Sequence, residues 1–486
     1  METEFEIKLD LDGPEQADAL AHMLDLGSSE THRLSAVYFD TPDLRLAEQG
    51  CSLRIRRNGR RRIQTIKFAG GASVGAFARW EWEQDVRSNA PVLEADSPVR
   101  AILGDHVARL EPRFQVETVR RCWMIEHEGA VIELAADRAT ARAGDAAAPF
   151  TEVELELKRG DQAALFSFAR RIGKLVPVRL GMLSKVERAR RLAKPDDGSD
   201  KERLVRLLPD MTAQDAFRAI GHVCLRHYRL NEQRLIADDD AAALHQARVA
   251  LRRFRSALSV FRPIVKGDTA RRVNADLRWL ARQLGRARNI DVTMERVGDP
   301  DALRVLKKAR RVAYDDARQA MNSALARELM LDIAQWFSVG DWTRHRQKSR
   351  RAPARIFGAS AIDFLHRRLL KQCAVVAGPG DAGDQERHEL RKTAKKLRYT
   401  VEFFALLFDE GKQRKARLRY LAALEELQDH LGSLNDVATM AALLNSLGLD
   451  PGRVGVEFAE TGMREFHLLQ AGQAINVLKE AKRFWK

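Results

Sequence analysis

The chain has 486 residues, 45% of them hydrophobic and 31% charged, which is too long for one hydrophobic core and implies two or more domains. Its net charge of +15 is uneven: residues 1–200 carry 30 Lys and Arg against 33 Asp and Glu, and the remainder carries 53 against 35. The four cysteines (Cys51, Cys122, Cys224, Cys373) stand singly, which argues against a disulfide framework or a thiolate zinc site, and the absence of a bilayer-length apolar run or a signal-peptide pattern makes a cytoplasmic protein the expectation.

The first part of the chain alternates. Residues 4–11, 51–57, 62–68, 79–86, 116–126, 130–135 and 151–158 switch between apolar and polar side chains, with turn-rich pieces such as Gly70-Gly71-Ala72-Ser73-Val74-Gly75 between them. This predicts an antiparallel β domain with a few helices. In the opening strand Glu4, Glu6 and Lys8 share one face, while Phe5, Ile7 and Leu9 share the other. The same alternation groups Arg54 with Arg56, isolates Lys67, sets Arg79, Glu81 and Glu83 opposite two tryptophans, and aligns Glu152, Glu154 and Glu156 with Lys158. Like charges at i and i+2 repel unless a counter-ion sits among them. Carboxylate clusters suit a hard cation such as Mg²⁺ or Mn²⁺, and Arg and Lys clusters suit phosphate. A closed barrel can hold both in its lumen, so the joint expectation is a metal–polyphosphate site inside a β tunnel.

Residues 194–200 (KPDDGSD) form a polar, breaker-rich linker. Beyond it the pattern turns to long helices rich in Ala, Leu and Arg, broken in two at Val376-Ala377-Gly378-Pro379-Gly380-Asp381. This half contains a repeat: HQARVALRRFRSALSVF at 245–261 matches HELRKTAKKLRYTVEFF at 388–404 with an offset of 143. His245, Arg248, Arg252 and Arg255 thus align with His388, Arg391, Lys395 and Arg398. On a helical wheel each set falls within about 80°, opposite an apolar stripe. Two cationic stripes at matching angles favour a polyanion over a merely solvated face. The histidines read as phosphate contacts, since no second ligand sits at a clear metal spacing on the same face.

The motifs EFEIK (4–8), YFDT (38–41), LRIR (53–56), TIK (65–67), RWEWE (79–83), ELEL (154–157) and SK (184–185) follow the order of the CYTH, or triphosphate tunnel metalloenzyme, superfamily, and residues 1–195 resemble it. The resemblance implies an eight-stranded antiparallel tunnel that hydrolyses triphosphate compounds or, in a few members, cyclises ATP. It implies Glu4, Glu6, Asp137, Glu154 and Glu156 as metal ligands, with Glu4, Glu6 and Lys8 at the catalytic centre. It puts Lys8, Arg54, Arg56, Lys67, Arg120, Lys185 and Arg188 on substrate phosphate, with Arg121 as the alternative to Arg120. Lys185 and Arg188 would lie on a terminal helix that plugs or completes one end. Ala139 departs from the glycine common in relatives and is expected to alter a turn without touching the site.

Residues 205–486 resemble the CHAD domain, a conserved-histidine α-helical domain, through HxxRVxxRRxR, HxxRxxxKxxRY and the LGxxRN and LGxxND turns. That implies two four-helix repeats, about 205–375 and 385–486, behind a linker at 196–204. It also implies a basic groove for inorganic polyphosphate formed by His245, Arg248, Arg252, Arg255, His388, Arg391, Lys395 and Arg398. The combined expectation is an α+β multidomain enzyme that hydrolyses inorganic tripolyphosphate with a divalent metal and binds long-chain polyphosphate; this fusion resembles bacterial inorganic triphosphatases. The alternatives are an adenylate cyclase or thiamine-triphosphatase of the same fold, or a non-catalytic protein docked on polyphosphate granules. Nucleic-acid binding ranks last, because Tyr399 is the lone aromatic candidate for base stacking along the stripes.

Overall fold

The computed structural model of the protein describes residues 5–68, 80–193, 199–201, 204–344, 348–376, 383–452 and 461–486. It divides into two compact units. One consists of Met1–Asp197 with Ala324–Thr343, the other of Gly198–Ser323 with Arg344–Lys486.

The first unit is built on one sheet of nine antiparallel strands: β1 (Glu6–Leu11), β2 (Glu30–Asp40), β3 (Cys51–Asn58), β4 (Arg61–Phe68), β5 (Trp80–Asp85), β6 (Glu111–His127), β7 (Ala130–Ala143), β8 (Ala146–Arg159) and β9 (Arg179–Leu180). Their order is β5-β4-β3-β2-β6-β7-β8-β1-β9. The eight expected strands become nine because of β9, a two-residue strand that pairs with Leu9 and Asp10 of β1. Among the described residues the ladder ends at β5 and β9 and does not close; the sheet curls, so that residues of β1 through β8 line one cavity. Strand β2 escaped the sequence reading because its first half, Glu30-Thr31-His32-Arg33, is polar and largely exposed and its register shifts between Tyr38 and Phe39. The β6–β7 hairpin turns on Glu128 and Gly129, both at positive φ, the twist that a two-residue turn requires.

Among the described residues five α-helices precede the linker: α1 (Pro14–Met23), α2 (Arg45–Glu48), α3 (Pro98–Leu103), α4 (Gln162–Leu175) and α5 (Lys185–Leu192). Helix α4 buries Leu165, Phe166, Phe168, Ala169 and Ile172 and packs on β1, β7 and β8, so the apolar side of those strands is covered and their charged side is left to the lumen. Helix α5 begins with a capping box between Ser184 and Glu187 and packs on β6, β7 and β8. Its Ala189 sits in a cluster with Ala36, Ala139 and Ala141, whose small side chains make room for the helix. Ala139 therefore alters no turn: it lies inside β7, opposite Thr118 of β6 and Phe150 of β8.

The second unit is helical. Four helices, α6 (Ala213–Ala237), α7 (Ala241–Val260), α8 (Asp268–Met294) and α9 (Pro300–Asn322), form the first repeat. The chain then contributes α10 (Ala324–Val339) and α11 (Asp341–Arg344), of which α10 belongs to the sheet unit, before α12 (Lys348–Arg351). The second repeat is α13 (Ala354–Val376), α14 (Asp384–Phe403), α15 (Gly411–Ser446) and α16 (Thr461–Glu480). The sequence reading ended the first repeat near 375. The structure instead pairs α13 with α14 as α6 pairs with α7, and the proposed break lies mostly outside the described residues. Helices α7 and α14 face each other across the repeat relation: the Arg253–Glu402 ion pair on one side has as its mate the Lys396 Nζ to Ser259 Oγ bond, 2.8 Å, each residue 143 positions from its counterpart. Among the described residues no helix is long and apolar enough to cross a membrane.

Candidate functional site

Strand register stacks the charges of the sheet unit in layers. Glu6, Glu156 and Glu133 are cross-strand neighbours on β1, β8 and β7. One layer along, Lys8 stands beside Glu154; in the next, Asp10, Glu152, Asp137 and Arg120 line up across four strands. Of these, Glu6, Lys8, Arg120, Glu133, Glu154 and Glu156 form one wall of a cavity of about 730 Å³. The opposite wall is Arg54 and Arg56 of β3, Lys67 of β4, and Glu81 and Glu83 of β5.

The innermost layer is a buried ion cluster. The Lys185 ammonium lies 2.8, 2.5 and 2.7 Å from carboxylate oxygens of Asp137, Glu152 and Glu154. Arg120 donates to both oxygens of Asp137, at 2.8 and 2.6 Å, and pairs with Glu154. Arg188 reaches Asp10 at 2.5 Å and Glu152 at 3.3 Å. Burial opposes ionisation of Glu154 and Asp137, but Lys185, Lys8 and Arg120 around Glu154, and Lys185 and Arg120 around Asp137, outweigh it and hold both carboxyls below their ordinary range. Arg121 turns the other way, to Asp18 at 3.2 Å and over the Trp123 ring, which leaves Arg120 as the lumen arginine.

The expected metal ligands do not form one cage. Glu4 lies outside the described residues. Glu6 and Glu156 come together, whereas Asp137 sits four residues along the β7–β8 ladder, about 13 Å at strand spacing, and groups with Glu152 and Glu154. Glu152 is one of the three alternating glutamates of the sequence but lies outside the ELEL motif that carries the resemblance. The trio Asp137, Glu152 and Glu154 has the hard-oxygen chemistry of a divalent-cation site, with its ligand atoms within 4.8 Å of one another. Its charge is already matched by lysine and arginine. The Glu6, Glu133 and Glu156 layer is also all-oxygen; Lys158 lies 3.1 Å from Glu133 and 2.6 Å from Glu156, and Lys8 pairs with Glu6.

The phosphate wall carries crowded cations. Arg54 depresses the guanidinium of Arg56, with burial adding to it, and burial followed by Arg54 depresses the Lys67 ammonium. Arg120 repels Arg56 and Glu6 attracts Lys67 across the lumen. Lys67 pairs with Glu81 at 2.6 Å, Arg54 with Glu81 at 3.6 Å, and Arg56 with Glu83 at 3.8 Å, so Glu81 and Glu83 hold the wall together. Sequence reasoning placed both on the charged face but assigned them no part. Among the described residues the one aromatic in the lining is Tyr38, which bonds to Arg54.

In the helical unit the two stripes meet. Arg252 Nε donates to the Tyr399 hydroxyl at 2.6 Å. Arg248 donates to the Ala281 carbonyl at 2.8 Å, passing over Gly285, and Arg391 passes over Gly432. His245 faces Arg288, Arg252, Arg248 and Lys395; burial and these cations pull its imidazole down to about 4. Burial, then Arg252 and Arg391, pulls Lys395 down to about 7. One expected member, His388, is exposed near the start of α14. Arg398 bonds to Tyr399, repels Lys395, and is paired with Glu402 at 3.6 Å and Glu425 at 3.4 Å. Arg255 faces Arg278 and Arg282 of α8 and bonds to Asn274 at 3.3 Å. Arg288 and Asp436, the latter 3.6 Å from Arg391, were missed as members because they come from the second pair of repeated turns and reach the stripe only by helix packing.

Residues 2–189 match the family model of the CYTH domain and residues 219–445 that of the CHAD domain. An inorganic triphosphatase of Haemophilus influenzae is 32% identical over 142 residues, an alignment that covers 28% of this chain and 39% of that protein. An uncharacterized protein of Mycobacterium tuberculosis (strain H37Rv) is 28% identical over 506 residues, covering 96% of this chain and 94% of that one. The crystal structure of the CHAD domain from the plant Ricinus communis is 27% identical with a TM-score of 0.49, covering 59% of this chain and 98% of that chain. With an antiparallel charged sheet at its start and two helical repeats behind it, the chain belongs to the proteins that join a CYTH domain to a CHAD domain.

Proposed function

We propose that the sheet unit hydrolyses inorganic triphosphate with Mg²⁺ or Mn²⁺ and that the helical unit binds long-chain inorganic polyphosphate. The observation that carries the first part is the Arg54, Arg56 and Lys67 wall facing, across the cavity, a wall on which Lys8 and Arg120 stand among carboxylates. Arg54, Arg56 and Lys67 would bind the phosphate oxygens from one side, and Lys8 and Arg120 from the other, holding a linear chain for in-line attack by water. Lys185 and Arg188, on the helix that packs into the curl of the sheet, would orient the nearest phosphate and exclude bulk water there. A divalent ion held by Glu6, Glu133 and Glu156 would neutralise charge on the phosphoryl oxygens and acidify a bound water. Tyr38 is engaged with Arg54, and among the described residues no other aromatic side chain joins the lining, which favours tripolyphosphate over ATP or thiamine triphosphate. For the helical unit, the mutual repulsion of Arg252, Arg391 and Lys395 supports a polyanion as the missing counter-charge.

The test is phosphate release by the purified full chain from tripolyphosphate, ATP and thiamine triphosphate, each with Mg²⁺, Mn²⁺ or chelator. Metal-dependent release fastest with tripolyphosphate is expected. Pyrophosphate and cyclic AMP from ATP would replace this reading with the cyclase, and no turnover of any of the three would leave a binding protein.

A further inference from the structure

The sheet unit contains a helix that the linear domain order does not give it. Residues 324–343 lie inside the CHAD match, yet they cluster with residues 1–197. Helix α10 packs on α4 and on β9. Leu329, Met330, Ile333 and Phe337 are each at most 2% exposed. Arg170 of α4 anchors the helix by donating to Asp332 and to Gln335, both at 2.6 Å.

The position of α10 bears on the cavity through β9. Leu180 and Arg179 pair with Leu9 and Asp10 of β1, and the Gly181 amide donates to the Lys8 carbonyl at 2.8 Å. The chain passes so close that a Cβ at Gly181 would lie 2.9 Å from Cβ of Lys8. Three residues later Ser184 caps the helix that carries Lys185 and Arg188. The strand under α10 is thus bonded to Lys8 and runs directly into the lysine that holds the buried carboxylates.

We propose that residues 324–343 are a positioning element of the sheet unit: α10 clamps β9 and thereby sets Lys8 and Lys185 for the triphosphate site. The unit is discontinuous in sequence, and a segment borrowed from within the helical half completes it. The effect on turnover rests on the hydrolase reading; the effect on backbone protection does not.

The experiment uses the full chain with Asp332→Lys, Arg170→Glu, the two combined, and Ile333→Asp. Hydrogen exchange is followed at the amides of β1 and β9, together with kcat and KM for tripolyphosphate. Asp332→Lys sets two cations against each other and is expected to speed exchange in β1 and β9 about tenfold by local opening, with kcat falling more than KM rises. The charge-swapped double variant should return exchange to within about threefold of the parent, which a general loss of stability would not. Ile333→Asp should raise exchange in the sheet unit first. Unchanged β1 and β9 exchange in both Asp332→Lys and Ile333→Asp, exchange that rises only in α6–α9 and α13–α16, or a swap that fails to restore protection would each overturn the proposal. A parent that hydrolyses none of the triphosphates, with the exchange pattern as expected, overturns the hydrolase reading and leaves the clamp standing.

Discussion

Glu6 and Arg120 illustrate how much a single side chain must do in this cavity. Glu6→Gln keeps the shape of the β1 face and removes one negative ligand from the carboxylate layer. Metal-dependent hydrolysis should fall at least ~100-fold with unchanged circular dichroism, and activity within twofold of the parent would remove Glu6 from the metal layer. Arg120→Ala should be far more damaging than Arg121→Ala, because only Arg120 pairs with Asp137 and Glu154. Lys395 provides a pH test. Its ordinary value is 10.5 and burial, followed by Arg252 and Arg391, lowers it to about 7, so between those values the unfolded chain holds more protons than the folded one. The stability of the free protein should therefore gain from rising pH across that window. Polyphosphate binding has the opposite dependence, since a polyanion favours the protonated amine. Affinity should weaken from pH 6 to pH 9 with uptake of a proton, measurable by calorimetry in buffers of different ionisation enthalpy. Lys395→Arg should flatten the dependence, and parallel pH curves for the two proteins would contradict this account.

Local rules decide the behaviour of individual elements. Helix α5 is short, and its register over the lumen depends on the Ser184–Glu187 capping box. Ser184→Ala should cost about 1 kcal/mol and lower turnover by loosening Lys185, as thermal unfolding and kcat together can record. Glycines Gly285 and Gly432 act at equivalent places in α8 and α15. A Cβ at Gly285 would stand 3.1 Å from the Arg248 guanidinium, so a larger side chain must push that arginine off the helix surface. Valine has a better intrinsic helix propensity than glycine, so Gly285→Val should spare helix content while weakening polyphosphate binding about tenfold. Equal affinity in the variant would mean that Arg248 does not contact the chain.

At the scale of the whole molecule, charge and connectivity pull in different directions. The stretch beyond residue 200 holds the excess of 53 basic over 35 acidic residues, so polyphosphate affinity should fall steeply with salt. Cutting the chain after the linker would separate the two charge classes cleanly. It would also take away residues 324–343, which the sheet unit contains. A chain ending near residue 195 is thus expected to melt lower and turn over less than the full protein, although every proposed ligand precedes the cut.

The period-two alternation of Glu4, Glu6 and Lys8, of Arg54 and Arg56, and of Glu152, Glu154 and Glu156 was sufficient to assign strands and the charged face. The repeated HxxR stretches likewise announced two cationic helices. Both signals are local, because strand parity and helix angle follow from positions a few residues apart. What the sequence left open depended on partners far along the chain. Strand register split the carboxylates into two layers, turned Arg120 inward and Arg121 outward, and brought Glu81 and Glu83 into the wall. Helix packing drew Arg288 and Asp436 into the groove and paired Arg398 with Glu402 and Glu425. The same physics joined α10 to α4 and β9 across more than 140 residues. Its apolar positions say only that α10 must be buried; which surface buries it is settled by shape and by the Arg170–Asp332 pair, and those exist only once the chain is folded.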